Sequence, residues 1–123
     1  MIPPILLLDC TGGIFVGISV LAMCQLLSEL EGLPLSVVIL MGVANLVYGC
    51  YSLFMATRRN RSINMIGLLA FANMAWLLVC LAIATTWWAQ ITVFGLLHVL
   101  GEGVYVAGLG YTEWRMRHTL VGR

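Results

Sequence analysis

The sequence predicts an all-α integral membrane protein, a single four-transmembrane-helix bundle over residues 1–123 with N- and C-termini cytoplasmic. Three observations predict it. Hydrophobic residues make up 62% of the chain and charged residues 9%, with a mean hydropathy of +1.04; soluble domains carry about 25% charged residues. Four long apolar runs fill the 123 residues. A spanning helix needs roughly 20 residues, so four spans with short loops leave no room for a water-soluble catalytic domain. The chain has no lysine, and its six arginines fall into two clusters, Arg58-Arg59-Asn60-Arg61 and Arg115, Arg117 and Arg123.

The first span is expected from Ile5 or Cys10 to Leu27. Pro3 and Pro4 suit a first helical turn, where a missing N–H costs nothing. Glu29, Glu31, Gly32 and Pro34 read as its exit turn. The second span runs from Leu35 to Ala56 and stops at the arginines. The third runs from Ser62 to Ala84, followed by an interfacial turn at Thr85-Thr86-Trp87-Trp88. The fourth runs from Ala89 to Tyr111, and Thr112–Arg123 is a polar tail. The start Met-Ile-Pro-Pro has no basic region, so no cleaved signal peptide is expected.

Four spans place both arginine clusters on one side. The positive-inside rule makes that side cytoplasmic, in a cell (inner) membrane or an endomembrane. Trp87 and Trp88 then belong to the outer aromatic belt and Trp114 to the inner one. Both clusters are small and sit where topology signals belong, so no nucleic-acid partner is expected.

Glu102 interrupts the fourth span. A carboxylate at that depth costs about 2.5–3.5 kcal/mol on insertion scales and needs partners or water. His98 is one turn away on the same face, and an i, i+4 pair of this kind can hold and pass a proton. Its alternative is a buried hydrogen bond that joins helices. Asn45 and Asn73 fall near the same depth, each about 16 Å from the end of its span, with Glu102 about 15 Å from its own. A shared polar centre is expected there, with Glu102 and His98 moving protons and Asn45 and Asn73 orienting an oxygen. Asparagine pairs between helices are also ordinary glue.

Tyr48, Trp76 and Tyr105 follow Asn45, Asn73 and Glu102 by three positions, so they share the polar faces. They would shape a cavity for a flat lipophilic ligand, or simply pack. Gly101 and Gly103 leave volume beside Glu102. Gly13 and Gly17, or Gly108 and Gly110, allow close helix approach and would also suit a homodimer. Asp9 is expected to bond the arginines or cap a helix. Gln25 and Ser28 are expected to be solvated, and Tyr51 and Tyr111 to be interfacial anchors.

Cys10, Cys24, Cys50 and Cys80 form no CxxC pair and read as packing residues. No metal site and no cofactor are expected: Glu102 and His98 have no third ligand at their depth, and His118 lies in the tail, away from His98. Ala44-Asn45-x-x-Tyr48 and Ala72-Asn73-x-x-Trp76 share an offset of 28, as do Ala56-Thr57 and Ala84-Thr85. Neighbouring spans are antiparallel, so this is not a simple parallel repeat.

Asn73-x-x-Trp76 with His98-x-x-x-Glu102 resembles the site elements of the sterol isomerase (emopamil-binding) family. The resemblance covers four residues in reverse order, without that family's second glutamate. It implies an intramembrane cavity that protonates and deprotonates a lipophilic substrate. Small multidrug transporters are similar in length and in having four spans, but their essential glutamate lies in the first span, where this chain has none. The function expected is therefore cofactor-independent acid–base catalysis on a lipophilic small molecule: isomerisation, cyclisation or hydrolase-type water addition. Proton-coupled transport by an oligomer, or an accessory role in a membrane complex, are the alternatives.

Overall fold

The computed structural model describes residues 4–58 and 61–121. Pro3, Arg59, Asn60 and Arg123, named above, lie outside the described residues. Among the described residues six helices follow in order: α1 Pro4–Ala22, α2 Cys24–Glu31, α3 Leu35–Thr57, α4 Ile63–Thr86, α5 Val93–Arg115 and α6 Arg117–Leu120. There is no strand among the described residues. The four long helices α1, α3, α4 and α5 are each apolar enough to cross a membrane. The chain is an all-α membrane protein with a four-helix bundle.

Two antiparallel pairs build the bundle: α1 lies along α3, and α4 along α5. Helices α1 and α5 bring the pairs together. Small residues decide how closely α1 and α3 approach. A Cβ on Gly13 would stand 2.8 Å from the Asn45 carbonyl oxygen and 2.9 Å from Gly49 Cα, and one on Gly17 2.7 Å from Leu46 N. Only hydrogen fits there. The Gly13/Gly17 face expected to suit a second copy is thus occupied within the chain. Gly110 likewise packs on Ala70 and Asn73, whereas Gly108 meets nothing within 4 Å.

The first expected span is two helices. The chain breaks step at Met23 and α2 continues to Glu31. Gly32, with φ 71°, ends α2 in the left-handed conformation that glycine adopts most readily. Glu31 is therefore the last residue of a helix and not part of an exposed turn. At the other end, α5 runs four residues beyond the expected Tyr111, to Arg115. The polar tail was placed too early, because Glu113 continues the buried stripe of α5.

One arginine is structural. Arg61 is 6% exposed. Its Nε donates to Met55 O at 2.7 Å, Nη2 to Ala56 O at 3.0 Å and Nη1 to Leu120 O at 3.3 Å. These are carbonyls in the last turns of α3 and α6, where a cation is favoured. Burial lowers the pKa of this guanidinium, and the three bonds hold its charge. Arg61 so fastens the loop and the chain's last helix to a small core of Leu6, Met55, Ile66, Leu69 and Leu120. A larger core of Val38, Met41, Trp76, Cys80 and Val99 lies toward the other end. These are called the arginine end and the Glu31 end below. Cys10 and Cys80 are buried, Cys24 is half-buried and Cys50 is exposed.

Candidate functional site

Polar side chains gather in two groups in the bundle interior. The first lies toward the Glu31 end. Thr92 builds it locally. Its hydroxyl accepts from Gly95 N at 3.1 Å, capping α5, and donates to Leu30 O at 2.6 Å, while Thr92 N donates to Glu31 O at 2.9 Å. The end of α2 is thereby tied to the first turn of α5. Gly95 permits the contact, since a Cβ there would run into the Glu31 backbone. Glu31, 0% exposed, reaches His98 one turn on.

His98 Nδ1 stands 2.5 Å from Glu31 Oε2, and its Nε2 stands 3.1 Å from Glu102 Oε2. Glu102 Oε1 accepts from Asn45 Nδ2 at 2.7 Å and from Trp76 Nε1 at 2.9 Å. Asn45 also donates to Met41 O at 2.9 Å, which orients its amide. Tyr48 meets Trp76 edge to face, ring centroids 5.8 Å apart. Four helices thus converge on one imidazole and one carboxylate. The bond to Glu31 is a hydrogen bond, whereas the approach to Glu102 is an ion-pair distance only: Glu102 Oε2 is buried without a hydrogen-bond partner. An imidazole between two carboxylates is an arrangement that can hold and pass a proton.

The second group lies toward the arginine end. Asn73 does not contact Glu102, as its depth suggested it could. Its Nδ2 donates to Asp9 Oδ2 at 2.8 Å and to Glu113 Oε1 at 2.9 Å. Asp9 accordingly bonds Asn73 and, among the described residues, no arginine. Asn45, Asn73, Glu102, Tyr48 and Tyr105 nevertheless line one cavity together with Asp9. It encloses about 40 Å³. A lipophilic ligand needs roughly 300 Å³ or more, so this is space for water.

A larger space opens sideways from His98. An apolar groove of about 490 Å³ runs between α1, α2 and α5, walled by Phe15, Val16, Met23, Phe94 and Leu97, with Ser19 and His98 as its polar members. The expected ligand-facing glycines are elsewhere. Gly101 is exposed and meets nothing within 4 Å, and a Cβ on Gly103 would stand 2.9 Å from Cys80 Cβ. Gly103 is a helix contact. Among the expected solvated or anchoring residues, Ser28 Oγ donates to Leu33 O at 2.6 Å, Tyr51 OH donates to Met65 O at 3.3 Å, and Tyr111 is exposed beneath the Arg115 guanidinium.

Glu31 and Glu113 are the interior carboxylates that sequence reasoning missed. Their signal was helical spacing. Val20, Cys24 and Leu27 pack on the larger core, and steps of three and four from them reach Glu31. Val99, Gly103, Val106, Gly110 and Glu113 are all buried, again in steps of three and four. Among the described residues no group of three or more His, Cys, Asp or Glu is arranged to hold a metal ion. No protein family, curated protein or solved structure matches the chain.

Proposed function

We propose that this protein is a membrane-embedded acid–base enzyme that acts on a lipophilic small molecule. One observation carries the reading: His98 is both held between two carboxylates and part of the wall of the apolar groove. An unsaturated lipid could enter that groove sideways from the bilayer. His98 would exchange the proton with it, while Glu31 and Glu102 keep the imidazole oriented and balance its charge. Isomerisation fits best. Moving a double bond adds one proton at one carbon and removes one at another, so a single acid–base group can serve both steps without a cofactor. Asn45 and Trp76 would hold Glu102 in place. The arginine clusters support an orientation with the arginine end cytoplasmic, in a cell membrane or endomembrane.

Deuterium incorporation tests this. Purified protein in lipid nanodiscs is incubated in deuterium oxide with a panel of unsaturated isoprenoid and sterol lipids. Mass spectrometry should find carbon-bound deuterium in recovered lipid, and His98→Ala should reduce it to background. Equal incorporation by His98→Ala and the unsubstituted protein would remove His98 from the chemistry.

A second reading, proton-coupled transport, is favoured by a different observation. Carboxylates continue beyond Glu102 to Glu113, so titratable groups extend from His98 over about 22 Å of α5. Proteoliposomes carrying an internal pH dye separate the two: substrate-driven proton flux without chemical change would select transport.

A further inference from the structure

Asp9, Asn73 and Glu113 come from α1, α4 and α5 and expose 5%, 1% and 0%. One amide nitrogen serves both carboxylates, at 2.8 Å and 2.9 Å. Asn73 has no further N–H to give. Glu113 Oε2 and Asn73 Oδ1 are buried without a partner. Both orphans are acceptors, so the group lacks a donor. Among the described residues, no salt bridge joins Asp9 or Glu113 to a cation.

The neighbouring elements supply none either. Cys10 adjoins Asp9 on α1. Tyr48 of α3 and Glu102 and Tyr105 of α5 line the cavity that Asp9 and Asn73 share. Asn73 is the contribution of α4. On α6, Arg117 lies over the Trp114 ring, 4.0 Å from its centroid, and His118 is exposed. Two ionised carboxylates at low dielectric repel each other, and a single proton between them removes the repulsion and supplies the missing donor.

The same cavity touches the first group. Asp9, Asn73, Asn45 and Glu102 all line it. A water needs roughly 10–15 Å³ of such space, so about 40 Å³ has room for two or three.

We infer that Asp9 and Glu113, bridged by Asn73, are a proton-loading site that holds one proton between two carboxylates and exchanges it with Glu102 through the water-sized cavity. The ligand is a proton. In the transfer the O–H of the loaded carboxyl breaks, cavity water relays the proton, and an O–H forms on the Glu102 carboxylate, leaving Asp9 and Glu113 both ionised until water returns a proton to them. The site itself stands apart from the catalytic reading, and only the destination of the proton rests on it.

Infrared difference spectroscopy reads the site. Protein in nanodiscs near neutral pH should show a protonated-carboxyl C=O band that shifts in deuterium oxide. Glu113→Gln and Asp9→Asn should each remove the same component of it, and each should slow deuterium delivery in the lipid assay by about 10²-fold, the lower end for a lost proton-transfer group. If Glu113→Gln does not fold, Asp9→Asn reads the same component. A component retained in both variants overturns the site. So does a wild-type spectrum without it, especially if sodium raises thermal stability in the unsubstituted protein and not in Glu113→Gln, which would make the occupant a cation. Loss of the component with undiminished deuterium delivery overturns the link to Glu102. Absence of any lipid exchange in the unsubstituted protein would sink the catalytic reading and leave the spectroscopic test of the site intact.

Discussion

Glu31 and His98 are 67 positions apart in the chain, and their side chains meet at 2.5 Å in the bundle interior. Thr92 sets this meeting, because its bonds to Leu30 and Glu31 fix the end of α2 against the start of α5. The pair links the first helical hairpin to the second at the Glu31 end, where Trp87 and the loop after it close the bundle.

Glu31→Ala should therefore destabilise the protein. It leaves the half-buried His98 Nδ1 without its partner, at a cost of up to about 1–3 kcal/mol. Glu31→Gln keeps a hydrogen-bonding group of the same length and should cost less. Thermal unfolding in detergent measures both. Unfolding temperatures for Glu31→Ala equal to those of the unsubstituted protein would mean that the pair does not form.

Glycines separate packing from space. Gly13→Leu puts a side chain where a Cβ already meets backbone at 2.8 Å, and should force α1 from α3 at a cost of about 1–3 kcal/mol or more. A Cβ on the exposed Gly101 would meet nothing within 4 Å, so Gly101→Leu should unfold like the unsubstituted protein. Detergent melts of the two variants side by side check the α1–α3 contact. Equal tolerance would contradict it.

Composition and the four apolar runs made the helices legible, because a membrane helix is specified by length and hydropathy alone. Glu102 and His98 stood out for the same reason: charge is rare inside such runs. Glu31 and Glu113 did not, because both sit near span ends. A carboxylate there reads as solvated, and only the three–four spacing with Leu27 or with Gly110 shows that it turns inward. Depth placed Asn45, Asn73 and Glu102 on one cavity, but depth carries no information about rotation. That is why Asn73 was expected at Glu102 and bonds Asp9 and Glu113 instead. The break at Met23 has no signal in the sequence, since neither proline nor glycine stands there.

The groove predicts a substitution that spares every carboxylate. Ser19→Trp places an indole into the space beside His98 without touching Glu31, Glu102 or Asn45. Lipid deuteration should fall to background while the melting temperature and the carboxyl infrared bands stay as they were. Undiminished deuteration would place the substrate elsewhere.

Orientation has its own test. Single cysteines at Gln90 and His118, in a chain with the native cysteines replaced, lie exposed at opposite ends of the bundle. With the arginine end cytoplasmic, a membrane-impermeant maleimide should label position 90 in intact cells and position 118 only after lysis. The reverse pattern would invert the bundle.

Glu102→Gln distinguishes a proton carrier from a structural brace. Asn45 Nδ2 and Trp76 Nε1 both donate to Oε1, and an amide oxygen accepts from them equally well. The amide nitrogen can donate across the 3.1 Å gap to neutral His98 Nε2. Both hydrogen bonds of the carboxylate are therefore reproduced, and an interior charge is gone, so stability should hold or rise. Only the exchangeable proton is missing. Deuterium incorporation should drop by about 10²–10⁴, the usual loss for a general acid or base. His98→Ala should give a loss of similar size, and the double variant should lose little more than either single one, because the two act on one proton. Additive losses would mean that Glu102 and His98 serve separate steps. Full activity in Glu102→Gln would reduce the carboxylate to a brace between α3, α4 and α5.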